Sequence, residues 1–402
     1  MRTLQEYFAS HHLFGLLAGG LFVSCGAVQV SGQSDGLDSG RAESTMFGLG
    51  QRFSCAFVLE ASSLSFQTYC WGELPWDPRR TSWQPVTLPT GSLRAVVSVA
   101  AGQGHVCRLM CPSAGGHECS AVCMGRNDRG QLGVNDDRQV VSEPLEVQLS
   151  YVKDVVAFNA SSCALSRSGI VYCWGSNESG QLGLPVSPRV SLPRQVLGLP
   201  LIGHIALGEH HACAISRSGE VWCWGANPSG ELGRRGSSGV LAPTAVPEIG
   251  IVSQLHVGSG HSCAITTDGD LYCWGRNSHG QVGAGSTTEW MPPTRVTAIS
   301  GGRWTDISCG ANHSCGVVNN RRVFCWGAND DGQVALTEDG FLSRPTEVAG
   351  VDYVGVVVAG PDRSCAVVRD ERGLVCWGRN DVGQLGNGPY SRRAGPTAVS
   401  YR

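Results

Sequence analysis

A cysteine followed directly by Trp-Gly recurs along this chain at a nearly constant interval. The tryptophans are Trp71, Trp174, Trp224, Trp274, Trp326 and Trp377, and a seventh copy has Met124 in that place. Successive copies lie 50 to 53 residues apart. A period of this length marks a repeat architecture, so seven units over 46–402 bound what the chain can fold into.

Each unit carries the same order of signals. A glycine comes first (Gly50, Gly102, Gly208, Gly258, Gly310, Gly360), with Phe158 standing there in the third copy. Three residues on is His105, His211, His261 or His313, replaced elsewhere by Phe53, Ser161 and Arg363. Cys-Ala, a turn, and apolar-x-Cys-Trp-Gly follow in most copies. Asn lies two beyond that glycine, then come Gly-Gln-Leu-Gly and a Pro-x-x-Val segment. Short apolar runs bounded by Gly, Asn and Asp read as strands. About four strands per unit, seven times over, predict an all-β chain folded as a seven-bladed β-propeller. Unit one begins at "MFGLGQRFSC" without a Pro-x-x-Val segment before it, and the chain ends on one, "GPTAVSYR". The expectation is a ring closed by the C-terminal strand, 396–402, pairing into the first blade and removing exposed edges.

Cys213 and Cys223 flank two short strands and the turn "RSG". A three-residue hairpin loop with Gly219 left-handed sets 213 opposite 223, within disulfide reach. The same separation joins Cys163–Cys173, Cys263–Cys273 and Cys315–Cys325, where Asn319-Asn320-Arg321 forms the turn. Cys365–Cys376 has one extra residue and Cys55–Cys70 a longer loop. In unit two, Cys107–Cys123 and Cys111–Cys119 share one centre, as two bridges on one face of a long hairpin. A zinc site is the competing use, but C-x9-C supplies two ligands of the four needed. Eight pairs leave Cys25 and Cys309.

The start of the chain accounts for Cys25. The apolar run Leu13–Ser24 is too short to span a bilayer and fits the core of a signal peptide. Its end, "LFVSC", resembles the lipobox of bacterial lipoproteins. Residues 1–25 are therefore expected to be a signal peptide with lipidation at Cys25. Residues 26–45, "GAVQVSGQSDGLDSGRAEST", are expected to be a flexible tether between the membrane and a propeller over 46–402. Disulfides agree with an exported protein. With 30 basic and 33 acidic residues the chain lacks the overall charge of a DNA-binding protein, and no nucleic acid is expected.

The pattern G-x-x-H-[S/T]-x-A followed by G-x-[V/L]-x-x-W-G-x-N-x-x-G-Q-L-G resembles the regulator of chromosome condensation repeat family. "GSGHSCAITTDGDLYCWGRNSHGQVG" at 258–283 matches nearly throughout. The resemblance implies a seven-bladed propeller, here of an exported bacterial branch. Function does not follow from the fold. The family includes an exchange factor for the GTPase Ran, secreted inhibitors of β-lactamases, a plant ultraviolet photoreceptor and bacterial surface proteins. The photoreceptor reading needs tryptophans clustered at one blade interface, whereas one per unit reads as core. The departures from the pattern sit in unit one, "ELPWDPRRTSW", and in unit two.

No nucleophile elbow, His-Glu-x-x-His or phosphate loop occurs. Residues 327–338 resemble a calcium loop at Asn329, Asp331, Gly332 and Glu338, yet occupy the place of the Gly-Gln-Leu-Gly turn. The repeated histidines are read as bonding between neighbouring strands. No catalytic residues, metal or cofactor are expected. A partner should meet the loops that do not repeat. Trp76, Trp83 and Trp290 fall in such connections, the first two beside Arg79 and Arg80, and suit an interface; covering blade edges is the alternative. The hairpin tip 112–118 is a second candidate surface. The expectation is a cell-surface protein-binding module, with an inhibitor of an extracellular hydrolase and a GTPase exchange factor as alternatives.

Overall fold

In a computed structural model the chain is described over 22–24, 27–30, 44–60, 65–77, 81–88, 95–112, 118–235, 237–247, 249–297, 301–335, 340–369, 373–388 and 390–399. Cys25, Arg79, Arg80, Glu338 and most of the tip 112–118 lie outside these residues. Of the leader and tether, two short strands are described, Phe22–Ser24 and Ala27–Val30. They pair with each other, and the second pairs with Ser44–Leu49 on the inner edge of blade one.

The seven-bladed, all-β ring is observed. Blade four shows the plan: Ile202–Leu207, His211–Ser216, Val221–Asn227 and Ser237–Ala245 form an antiparallel meander in chain order. Each blade repeats it, so the first-to-second and third-to-fourth turns share one face of the disc. The second-to-third hairpins and the connections between blades share the other. We call these the mouth face and the hairpin face.

The closing strand corrects the expectation. Ser391–Ala398 pairs with Leu374–Asn380 inside blade seven, with Cys376 opposite Thr397, and does not join blade one. The reason lies in where a unit begins. In blade four the equivalent segment, with Thr244 opposite Cys223, is the fourth strand of its own blade. Each unit opens instead on the apolar strand before its first glycine, and blade one is complete as 44–49, 53–60, 65–73 and 81–87. Blade one thus has four strands of its own, and Ala27–Val30 and Phe22–Ser24 extend its inner edge. The ring closes through side chains packed from blade seven onto blade one.

All eight cysteine pairs are bridged, seven between neighbouring strands and Cys111–Cys119 at the end of theirs; Cys213 faces Cys223, and Gly219 is left-handed with φ 86°. Asn319 and Asn320 take φ of 55° and 52° in the hairpin that lacks glycine. Strand alternation sends cysteine and tryptophan to opposite faces of a blade. The disulfide of one blade therefore meets the next blade's tryptophan, as Cys213–Cys223 meets Trp274, except that Cys55–Cys70 meets Met124. The core thus lies between blades, with Trp71, Trp174, Trp224, Trp274, Trp326 and Trp377 fully buried. A bridge of this loop length contributes about 2–3 kcal/mol in the chain-entropy account.

Candidate functional site

The repeat's polar side chains meet at the junctions between blades. At the junction of blades five and six, Ser314 Oγ donates to the carbonyl of Gln281 at 2.9 Å, and Trp326 Nε1 donates to the same oxygen at 2.8 Å. His261 Nε2 lies 2.9 Å from Ser314 Oγ. The serine proton is spent on the carbonyl, so the imidazole must be the donor, protonated at Nε2 and bare at Nδ1. His105–Ser162, His211–Ser262 and His313–Ser364 repeat this at 2.7, 2.9 and 2.8 Å. All four Nδ1 atoms are buried without a hydrogen-bond partner. A charged imidazole would bury an unpaired N–H there, and burial lowers each pKa to about 3. These histidines are neutral latches, as the strand-bonding reading expected.

The exceptions come in matched pairs. Where blade three has Ser161 for histidine, blade four has Ala212 for serine; Ser161 Oγ turns to the carbonyl of Ser176 in its own blade. Where blade one has Phe53, blade two has Val106. At that junction Met124 replaces the tryptophan, and Leu74 and Trp76 replace the turn that would supply the carbonyl. At the closing junction Arg363 replaces histidine. It donates to the carbonyls of Gly50 and Gln51 at 2.7 and 3.1 Å, to that of Phe53, and to Ser54 Oγ at 3.2 Å. Asp362 sits 3.0 Å from its guanidinium. Ser54 and Trp71 then bond the carbonyl of Gln384 at 2.7 and 3.0 Å.

With these groups consumed, the mouth face holds what remains to bind. A cavity of about 170 Å³ opens at the centre, lined by one turn from every blade. Its rim is polar at Gln51, Gln103, Asn159, Glu209 and Ser259 and apolar at Ala311 and Pro361. A second cavity of about 260 Å³ lies over the junction of blades two and three, between Gln103, Arg126, Asp128, Arg129 and Glu178. Arg129 pairs with Glu178 at 2.6 Å, and Gln131 Nε2 holds Asp128 at 3.1 Å. Arg126 projects into solvent beside them. Across the ring, Arg379 joins Asp381 at 2.7 Å and Asp362 at 3.6 Å, and Arg52 joins Glu73 at 2.6 Å. Burial pushes the Asp362 carboxyl up, against the pull of Arg363 and Arg379. These ion pairs give a partner a fixed pattern of charge.

The tryptophan surface expected from sequence is divided. Trp76 is half-buried in the junction of blades one and two, edge-on to Phe53 with ring centres 5.5 Å apart. Trp290 belongs to blade five and lies over Gly230 of blade four, whose Cβ would come within 3.0 Å of the ring. Trp83 is in the fourth strand of blade one. Both placed rings cover seams, and blades one and five are not neighbours. The calcium-like stretch is a turn held by its own groups: Asn329 Oδ1 accepts from Val334 N–H, and Gln333 Oε1 from Asp331 N–H. Cys309 is buried and reduced, and burial raises its thiol pKa. Its sulfur, the Cys263 sulfur and a His261 nitrogen lie within 4.8 Å of one another, but Cys263 is already bonded to Cys273. Sequence reading missed Arg126, Asp128, Arg129 and Glu178. The position after each Cys-Trp-Gly or its variant varies (Glu73, Arg126, Ser176, Ala226, Arg276, Ala328, Arg379), and that variation on a repeating frame was the available signal.

Comparison with known proteins gives the same architecture. A family profile described as the RCC1-like domain matches residues 67–402. A human protein, the probable E3 ubiquitin-protein ligase HERC6, is 34% identical over 97 residues, covering 23% of this chain and 9% of its own. The ultraviolet-B receptor UVR8 of Arabidopsis thaliana is 32% identical over 107 residues, covering 26% and 24%. The chain thus spans a quarter or less of the length of these relatives. Among solved structures, Prp20p of Saccharomyces cerevisiae, described with its binding to Gsp1p and histones, superposes with a TM-score of 0.69 at 20% identity, covering 91% of this chain and 94% of that one.

Proposed function

The chain belongs to the RCC1-like domain family, and from that premise we propose that it is a rigid protein-binding propeller, exported and held at the cell envelope by lipid on Cys25, that takes its partner over the mouth of the ring. The observation carrying this reading is the latch. It turns the repeat's histidines, serines and tryptophans inward, so that they fix the ring and leave recognition to the loops. A frame fixed in advance lowers the ordering cost of association. The central rim and the charged cavity beside Arg126 and Arg129 offer a polar surface with defined charge. Eight disulfides support a place outside the cytosol and weigh against a cytosolic exchange factor, because reducing conditions would open them.

The test is capture from an envelope fraction of the native host, using the oxidised protein and a variant carrying Arg126→Glu with Arg129→Glu. A partner retained saturably by the first and lost by the second is the expected outcome. Equal capture by both would remove the mouth face from the reading. If the captured protein is a hydrolase, titrating its activity separates an inhibitor from a scaffold. Intact mass of the native protein, with a diacylglyceryl group on Cys25 or without it, decides the anchor.

A further inference from the structure

The hairpin face carries a surface of a different kind. The residue just before each inner strand is Tyr151, Leu201, Ile251, Arg303 or Tyr353 in blades three to seven. Its carbonyl accepts an N–H from the hairpin of its own blade, as Leu201 does from Arg217 and Ile251 from Thr267. In blades four, five and six its side chain lies across the hairpin glycine of the preceding blade. A Cβ on Gly219 would come within 2.5 Å of Ile251, and one on Gly169 within 3.3 Å of Leu201. Those side chains therefore cap seams. Much apolar surface here is left in water: Tyr151, Leu201, Ile251 and the neighbouring Leu197 are 52 to 70% exposed.

Those four large apolar groups fall on three successive blades. Between them stand cations. Lys153 Nζ bonds the carbonyl of Gly203 at 2.9 Å, and Arg217 bonds that of Arg167 at 2.8 Å. Neither has a carboxylate within ion-pair distance among the described residues. In the hairpins and inner-strand approaches of blades three and four, Glu220 is the one acidic side chain described. An apolar arc studded with Arg and Tyr has the composition of a binding hot spot.

We propose that this arc docks an acidic amphipathic segment of another protein, with apolar side chains against Leu197, Leu201 and Ile251 and carboxylates toward Lys153 and Arg217. The surface is separate from the mouth face and does not depend on it. Charge decides for a protein over an anionic membrane. A flat bilayer would meet the whole face, including Asp268 on blade five and Asp352 on blade seven, and be repelled there. A partner of ordinary footprint, about 800 Å² on this side, covers two or three blades and leaves Asp352 outside its contact.

The probe is a synthetic helical peptide of roughly 18 residues with leucine along one stripe and glutamate elsewhere. Its lysine counterpart, phosphatidylglycerol vesicles and duplex DNA are the other arms, all against the oxidised full chain. The glutamate peptide is expected to bind saturably and more weakly as salt rises. Hydrogen exchange should slow over 149–153, 197–203 and 216–220. Leu197→Asp should cost about tenfold or more in Kd, as should Arg217→Glu, with the melting temperature unchanged by either exposed substitution. The mouth variant Arg126→Glu should bind as the parent does, which keeps failure here distinct from failure at the mouth. Equal binding of the lysine peptide, protection confined to the mouth face, binding of vesicles or DNA alone, or no binding at all each overturns the proposal.

Discussion

The junction between blades five and six and the junction between blades one and two solve the same packing problem with opposite chemistry. The first turns on one carbonyl, that of Gln281, which receives Ser314 and Trp326 while His261 donates to the serine. The second has none of the four groups. Phe53 stands for the histidine, Val106 for the serine and Met124 for the tryptophan, and Leu74 and Trp76 fill the place of the turn. The histidine and the serine are therefore kept or lost together, with arginine standing in for the histidine at the closing junction. A junction with one of the two and not the other would bury a donor or acceptor with nothing to meet it, at a cost of about 1–3 kcal/mol. Removing all the polar members together leaves no such group. The junction between blades three and four shows the rule on a smaller scale. Ala212 replaces the serine, Ser161 replaces the histidine, and Trp224 keeps its bond to Gln181 at 3.0 Å.

The closing junction stands furthest from the apolar one and should break most severely. Arg363→Ala removes a fully buried guanidinium that holds three carbonyls and Ser54 of blade one, and leaves the Asp362 carboxylate with Arg379 alone. Breaking a buried charged network from one side costs about 3–5 kcal/mol. The denaturant midpoint of the oxidised protein should fall accordingly; a change under about 1 kcal/mol would show that blade seven does not hold the ring shut through this side chain. Ser314→Ala comes next. It leaves the Nε2–H of His261 buried without its acceptor and is expected to cost about 1–3 kcal/mol. Adding His261→Ser, the combination at blades three and four, should recover part of that loss. Strict additivity of the two substitutions would mean that the pairing is coincidental.

How much of this was open to sequence reading depended on whether the signal was local. The cysteine pairs were legible because a hairpin fixes which residues face each other within ten positions, and 213 does face 223. Strand count and blade number followed from the period. The closing strand was misassigned because the period is the same wherever a unit is cut, and hydrogen bonding alone shows that Thr397 belongs with Cys376. The latch was half legible. Its residues recur, but their partners lie 51 to 57 positions away in the next blade. Phe53 and Ser161 stood out as separate oddities, and their counterparts Val106 and Ala212 emerged once the blades were placed side by side. Trp76 misled for the same reason. It departs from the repeat because its junction needed apolar volume, and departure alone does not separate a packing substitute from a binding residue.

The finest test of the comparison moves one junction's chemistry into the other. Phe53 already occupies the niche of a latch histidine: a Cβ on Gly50 would come within 2.3 Å of its ring, as one on Gly258 would within 2.5 Å of His261. His261→Phe with Ser314→Val should therefore be accommodated, and replacing both partners by apolar groups is expected to change stability by less than about 1 kcal/mol at neutral pH. The distinguishing measurement is stability against pH. Each latched histidine has its pKa lowered from 6.5 to about 3 on folding. As pH falls through 6.5 the unfolded chain takes up protons that the folded chain refuses, so stability declines until pH approaches 3. Each histidine contributes up to about 1.4 kcal/mol per pH unit over that window. The double substitution should lower the slope between pH 6 and 4 by the equivalent of one proton and leave the plateau above pH 7 where it was. An unchanged slope would mean that His261 is accessible to protons in the folded ring, and the neutral-donor account of the latch would fall with it.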